Sequence, residues 1–229
     1  MRNSRLDIQL LSGAGGAEVL GVDVSQDLDD GTVGEIRDAL NEHCVVFFRD
    51  QELDVAQHKA FARRFGEIFI HPNYKGTGDD PEIVMVRREP GDTGYVGEDW
   101  HADTTMVAEP PQAGKNKGRS TKHRDGPDWR ETISVHPVVR THPETKRKLL
   151  FVNASYTIGF EDMTEAESKP LLDFLMEHGN RPEFTFRFRW QKGSLAFWDN
   201  RSAKHIALGD TGPFRRLMRR IQICGDKPV

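Results

Sequence analysis

The chain has 229 residues, a formal net charge of −4, 36% hydrophobic residues and two cysteines, Cys44 and Cys224. That length suits one domain with a sizeable core, and the lack of a concentrated basic tract excludes the electrostatic footprint of a nucleic-acid binder. No apolar run approaches membrane-spanning length, the opening MRNSRLDIQLLSG is too polar for a signal segment, and two distant cysteines make no disulfide framework, so an unexported protein of the reducing cytoplasm is expected. The most basic stretch, KNKGRSTKHR (115–124), has no apolar residue and reads as a solvated loop.

In chain order, Asp30 to His43 carries Val33, Ile36 and Leu40 at helical spacing with Asp29 or Asp30 available as a cap, and CVVFF after it reads as a buried strand. Asp54 to Phe65 predicts a second helix, with Val55, His58, Phe61, Ala62 and Phe65 on one face and Gly66 as its stop. His58 there reads as a packing or surface residue. IVMVRR (Ile83 to Arg88) and DWHADTTMV read as strands joined by the turn-rich EPGDTGYVGE. Thr164 with Glu167 is a capping-box signature for a helix carrying Leu171, Leu172, Leu175 and Met176 and ending near Gly179, although Pro170 leaves its start open. EFTFRFRW alternates Phe184, Phe186, Phe188 and Trp190 with polar residues and is the clearest strand pattern in the chain, one face of it core. SLAFWDN and RRLMRRIQIC follow as further strands. Short strands with few helices between them predict a mainly β protein with flanking helices, an antiparallel sandwich or jelly roll, as a single domain over 1–229.

Residues two apart on a strand point to the same side, so His101 and Asp103 of WHADT can offer an imidazole and a carboxylate to one ion. H-x-D alone is a common pattern and needs a third ligand. His205, after SLAFWDN and the turn NRSAK, is the best candidate; the bland alternative is a surface-loop histidine. Two histidines and one carboxylate leave coordination positions open, as in non-haem iron(II) oxygenases, and a catalytic zinc site of a hydrolase with the same ligands is the competitor. Alternation along RRLMRRIQI puts Arg216, Met218 and Arg220 on one face. Arginines directed inward need an anion, and a dicarboxylate with one end on the metal and the other held by the fork of Arg216 fits. The pattern allows the opposite equally well, with that face in solvent and Leu217, Ile221 and Ile223 in the core.

WHADTTMVAEPP, HPVVRTHPETKRKLLFVN, FWDNRSAKH and FRRLMRRIQICGDKP together closely resemble the taurine dioxygenase family, which includes taurine, alkyl sulfate and aryloxyalkanoate dioxygenases. The likeness runs in one order from the N-terminal region to the C-terminus. It implies a double-stranded β-helix (jelly roll), a homo-oligomer, and Fe(II) held by His101, Asp103 and His205. It also implies 2-oxoglutarate as cosubstrate, O2 as oxidant, and hydroxylation of a small organic anion (sulfonate, alkyl sulfate or aryloxyalkanoate) with release of succinate and CO2. Carried over by position, Arg216 meets the distal carboxylate of 2-oxoglutarate and Arg220 the anionic group of the prime substrate. His71 and Tyr74 of IHPNY, Tyr156, and Thr104 beside Asp103 line the same pocket. Gly97 stands where taurine dioxygenase has an asparagine, which argues against taurine itself.

One departure accompanies the likeness. After AEPPQAG the family continues with further strands and a Gly-Gly-Asp-Thr motif whose threonine also contacts 2-oxoglutarate, whereas here Gly114 passes directly to Lys115. Either a flexible stretch is missing between 114 and 115, or a true deletion makes this an inactive or binding-only member.

Overall fold

The computed structural model describes residues 5–71, 80–92, 97, 99–110, 134–209 and 213–229. Its largest sheet has the order β1 (Asp7–Ser12), β2 (Gly15–Leu20), β3 (Val45–Phe48), β7 (Leu195–Trp198). β1 and β2 form an antiparallel hairpin, β2 pairs parallel with β3 through Ala17 and Val46, and β7 closes the other edge of β3, antiparallel, with Phe48 opposite Leu195. A parallel pair needs a crossover, and α1 (Asp30–His43) supplies it.

The three predicted helices form, although the second ends at Arg63, short of the predicted stop at Gly66. The Asp29 carboxylate accepts the Thr32 N–H at 3.0 Å and starts α1, and Cys44, at φ 66°, ends it by returning its N–H to the Leu40 carbonyl. α2 (Val55–Arg63) opens on a reciprocal capping box between Asp54 and Gln57. Val33, Ile36 and Leu40 of α1 and Phe61 of α2 pack with Val19, Val46, Phe48 and Phe65 into one hydrophobic core. α3 (Glu165–Gly179) starts at Thr164 with its Glu167 box, ends at the expected glycine and accommodates Pro170 inside the helix. Of its apolar residues only Leu172 is buried, while Leu171 and Phe174 face solvent.

Two antiparallel ribbons complete the described strands: β4 (Val84–Arg88) with β8 (Arg216–Arg220), and β5 (Val139–Thr141) with β6 (Lys148–Leu150). Among the described residues the elements are therefore short strands, three α-helices and one 3-10 turn. No helix among the described residues is long and apolar enough to cross a membrane.

Two predicted strands do not form. DWHADTTMV keeps a single bridge, His101 to His205, and then turns, because Thr104 takes a left-handed φ of 55° that no strand accommodates. EFTFRFRW is a 3-10 turn at Pro182–Phe184 followed by residues that join no strand. Phe186 and Phe188 do pack inward, Phe188 stacked on Phe47 at 3.8 Å and Phe186 edge-on to it at 6.3 Å. The strand carrying Phe47 already has β2 on one edge and β7 on the other. The segment thus finds side-chain contacts there and no main-chain ladder, and Phe184 and Trp190 stay exposed.

Candidate metal centre and its pocket

The His101–His205 bridge brings two histidines far apart in the chain side by side. Each donates its N–H to the other's carbonyl, at 3.0 and 2.8 Å, and directly opposed residues of such a pair carry their side chains to the same side. The ring centroids lie 4.2 Å apart. Asp103, two residues on, sets its Oδ1 3.6 Å from Nε2 of both rings, and one ligand atom from each of the three residues lies within 4.8 Å of the others. His101 and Asp103 are fully buried. His101 Nδ1 meets the Asp99 carbonyl at 2.6 Å; a carbonyl only accepts, so the proton sits on Nδ1 and the lone pair of Nε2 faces the centre. Two imidazoles and one carboxylate on one side of a cluster are the donor set of non-haem Fe(II), so the residues fit that ion.

Asp103 is held from behind by Asn200, which sequence reasoning missed. The Asn200 carboxamide accepts the Asp103 N–H at 2.6 Å and donates to the Asp103 carbonyl at 3.0 Å, a two-point clamp on the backbone of the ligand. Asp199 beside it accepts from His142 Nε2 at 2.7 Å and from the Arg201 guanidinium at 2.8 Å, and Arg201 also pairs with Glu144 at 2.9 Å. Burial alone would raise the Asp199 carboxyl, but hydrogen bonds from His142 and Arg201 and the charge of Arg201 hold it below the ordinary carboxylate range. FWDNR and HPVVRTHPE were visible as motifs; that their polar residues converge behind Asp103 is a tertiary fact.

The alternation question on β8 is decided by burial. Arg220 is 4% exposed and Gln222 3%, while Leu217 is 53% exposed, so the even-numbered face turns inward. The odd-numbered Ile221 and Ile223, past the strand end, join the hydrophobic core, so both earlier readings hold for different parts of the segment.

Residues 67–71 run along the end of this segment: Phe69 N–H donates to the Gln222 carbonyl and Ile68 bridges Ile223, which brings His71 beside Arg220. Burial, then the Arg220 charge, pushes His71 down to about 4, so its imidazole is neutral near pH 7. Tyr156 lies between the two groups of residues. Burial and then the Asp103 carboxylate raise its phenol well above the ordinary value, opposed by Arg220 and by a hydrogen bond from the Thr104 N–H. The left-handed turn at Thr104 buries its hydroxyl, which makes no hydrogen bond among the described residues. Arg216 is half-buried at the other end of the same face, its Nε 3.1 Å from Met218 Sδ. A side chain at Gly97 is excluded twice over: φ is 84°, and a Cβ would sit 2.9 Å from His101 Cε1. Tyr74 and the 114–115 junction lie outside the described residues.

The family model "Taurine catabolism dioxygenase TauD, TfdA family" matches this chain over residues 7–114 and 113–222. The chain belongs to this family. An alkylsulfatase of Acinetobacter baylyi is 29% identical over 97% of this chain and 86% of its own length. A sulfate ester dioxygenase of Pseudomonas putida, described as alpha-ketoglutarate-dependent, is 28% identical over 98% and 91%. The crystal structure of a taurine dioxygenase from Burkholderia xenovorans superposes with a TM-score of 0.82 at 34% identity, covering 99% of this chain and 91% of that one. The TauD, TfdA match breaks at 113–114, and the alignment with the alkylsulfatase runs over 278 positions against 229 residues here.

Proposed function

We propose that the protein is an Fe(II)- and 2-oxoglutarate-dependent dioxygenase that hydroxylates a small organic anion, consuming O2 and releasing succinate and CO2. The observation that carries the reading is the convergence of buried His101 and Asp103 with half-buried His205, and the buried Arg220 whose charge reaches the same Tyr156 as that of Asp103. The metal, when bound, supplies the activation of O2 and chelation of the 2-oxo acid. The chain's own groups bind and orient. Arg216 takes the distal carboxylate of 2-oxoglutarate; Arg220, with His71 and Tyr74, takes the anionic head of the substrate; Tyr156 and the Thr104 hydroxyl line its organic body. His71, neutral near pH 7, contributes an N–H and not a charge. At Gly97 the close approach of His101 leaves no room for the side chain that taurine dioxygenase carries there, which argues against taurine itself. Alkyl sulfates head the candidates because two relatives are named for sulfate esters.

The reading extends to a double-stranded β-helix in one domain over 1–229, a homo-oligomer, and a cytoplasmic location with no membrane or nucleic-acid partner. The two cysteines, both free, agree with the last of these. We infer further that a family segment is absent between Gly114 and Lys115, supported by the broken match there and by a strand pattern at 183–190 that finds no ladder. A true deletion there, as against an omitted flexible stretch, is the case in which a second reading stands, an inactive or binding-only member. A zinc hydrolase with the same ligands is disfavoured by the family membership. Succinate formation on adding Fe(II), 2-oxoglutarate and a panel of alkyl sulfates, sulfonates and aryloxyacids decides: substrate-dependent succinate is expected, and none across the panel would leave the binding-only reading.

A further inference from the structure

Among the described residues no strand ladder holds Asp103 or the two residues after it; side chains do. Asn200 grips the Asp103 backbone from one side. On the other, Thr104 donates its N–H to the Tyr156 phenol, and the Thr105 hydroxyl accepts from Asn153 Nδ2 at 3.0 Å. Thr104 needs such support, because a β-branched residue at a φ of 55° persists only where its surroundings over-determine it. Asn153 also builds the turn that carries Tyr156. Its Oδ1 accepts the Tyr156 N–H at 3.0 Å, its own N–H donates to the Thr157 hydroxyl at 3.0 Å, and its carbonyl accepts the Thr157 N–H at 3.1 Å. One residue on, Ala154 donates its N–H to the Trp100 carbonyl at 3.2 Å, which joins the two segments again just before His101. Asn153 is 2% exposed and Thr105 7%, and hydrogen bonds so far from water are directional and costly to leave unmade.

Resting on the metal-site reading above, we propose that Asn153 is a positioning residue that fixes the Tyr156 ring relative to the metal centre and so sets the space left for the substrate's organic body. It acts through Tyr156 and Thr105 and not by contact with a ligand. Its carboxamide holds the chain leaving Asp103 through the nitrogen and the backbone carrying Tyr156 through the oxygen, so neither segment can shift without breaking one of those bonds. The hydrogen bond from the Thr104 N–H closes the loop at the phenol, and the ring is held at its backbone and at its far end. A wall residue locked in this way keeps its place by its supporting hydrogen bonds, and loses it when they go.

Fluorine NMR of the intact protein labelled with fluorotyrosine reads the ring position without substrate or turnover. The Tyr156 signal is assigned by its loss in Tyr156→Phe, and saturating Mn(II) in the metal site broadens it with a steep dependence on distance. Asn153→Ala is expected to change that broadening by about twofold or more, as a ring loosened on the order of 1 Å would. Thr105→Val removes only the hydroxyl that Asn153 holds, at nearly constant shape, and should change the broadening in the same direction. Thr105→Ser keeps the hydroxyl and should give the wild-type signal. Wild-type broadening in folded Asn153→Ala, or in Thr105→Val where Asn153→Ala does not fold, would overturn the positioning role. Equal changes in Thr105→Val and Thr105→Ser would overturn it as well, since shape and not the hydrogen bond would then be at work. A wild-type Tyr156 signal untouched by Mn(II) would overturn the metal-site reading itself.

Discussion

The described residues form two interiors of opposite character. One is apolar: Val19, Ile36, Val46, Phe48 and Phe61, with Phe197 of β7 packed edge to face on Phe61 and tilted on Phe65. The other is polar: Arg140, His142, Asn153, Asp199 and Asn200, all at most 2% exposed. The chain crosses from one to the other between Phe197 and Asp199. Apolar contact is non-directional and scales with buried area, so the first interior sets how stable the fold is. Hydrogen bonds and ion pairs are directional, so the second sets where Asp103 points. Damage to the first should cost stability with little loss of metal geometry per folded molecule, and damage to the second should loosen metal geometry at a smaller cost in stability.

Phe48→Ala gives the largest expected effect on stability. Truncating this fully buried ring in the apolar interior should cost about 3–5 kcal/mol in denaturant unfolding, with Fe(II) affinity of the remaining folded fraction unchanged. A tenfold loss of metal affinity would break the separation of the two interiors.

Next comes a pH effect from His58, which sits at the edge of the apolar interior among Phe61, Phe65, Leu195 and Phe197. Burial, then the Arg219 charge, pushes its pKa down to about 4 from the ordinary 6.5. The unfolded chain therefore binds the proton more readily, and stability present above pH 6.5 is lost as pH falls towards 4. The loss reaches up to about 3 kcal/mol from this one group. His58→Leu should flatten the unfolding midpoint between pH 6.5 and 4, and an unchanged slope would remove His58 from the account.

For the polar interior the informative change is Asn200→Ala. It removes both hydrogen bonds to the Asp103 backbone and should lower Fe(II) affinity by about tenfold to a hundredfold at a stability cost of about 1–3 kcal/mol. Equal metal affinity with lowered stability would make Asn200 a packing residue only. Smallest is Thr164→Ala, which breaks the capping box of α3, a helix with few buried residues. It should cost about 1 kcal/mol and leave metal and cosubstrate binding untouched.

The apolar interior was the more legible of the two from residues alone. The caps at Asp29, Asp54 and Thr164 and the faces of α1 and α2 are local, and local chemistry decides them. The pattern at 183–190 correctly turned Phe186 and Phe188 inward, but alternation specifies faces and not a hydrogen-bonding partner, and β3 had no edge left to offer. WHADTT was read as a strand because H-x-D alternation needs only three residues, and the left-handed Thr104 that ends it has no marker in composition. The pairing of His101 with His205 depends on a bridge between segments far apart in the chain, which the family resemblance supplied and spacing alone did not. Asn200 went unread for the same reason: a neighbour's backbone gives it its place.

The central claim is that one Fe(II) site is assembled from the His101–His205 bridge and a clamped Asp103. It is tested most directly by anaerobic Fe(II) titration of the intact protein and of Asp103→Ala, with circular dichroism to establish that both are folded. The account predicts one tightly bound Fe(II) per wild-type chain and none at the same concentrations in the folded variant. An Asp103→Ala protein that binds Fe(II) as tightly as the wild type would contradict it.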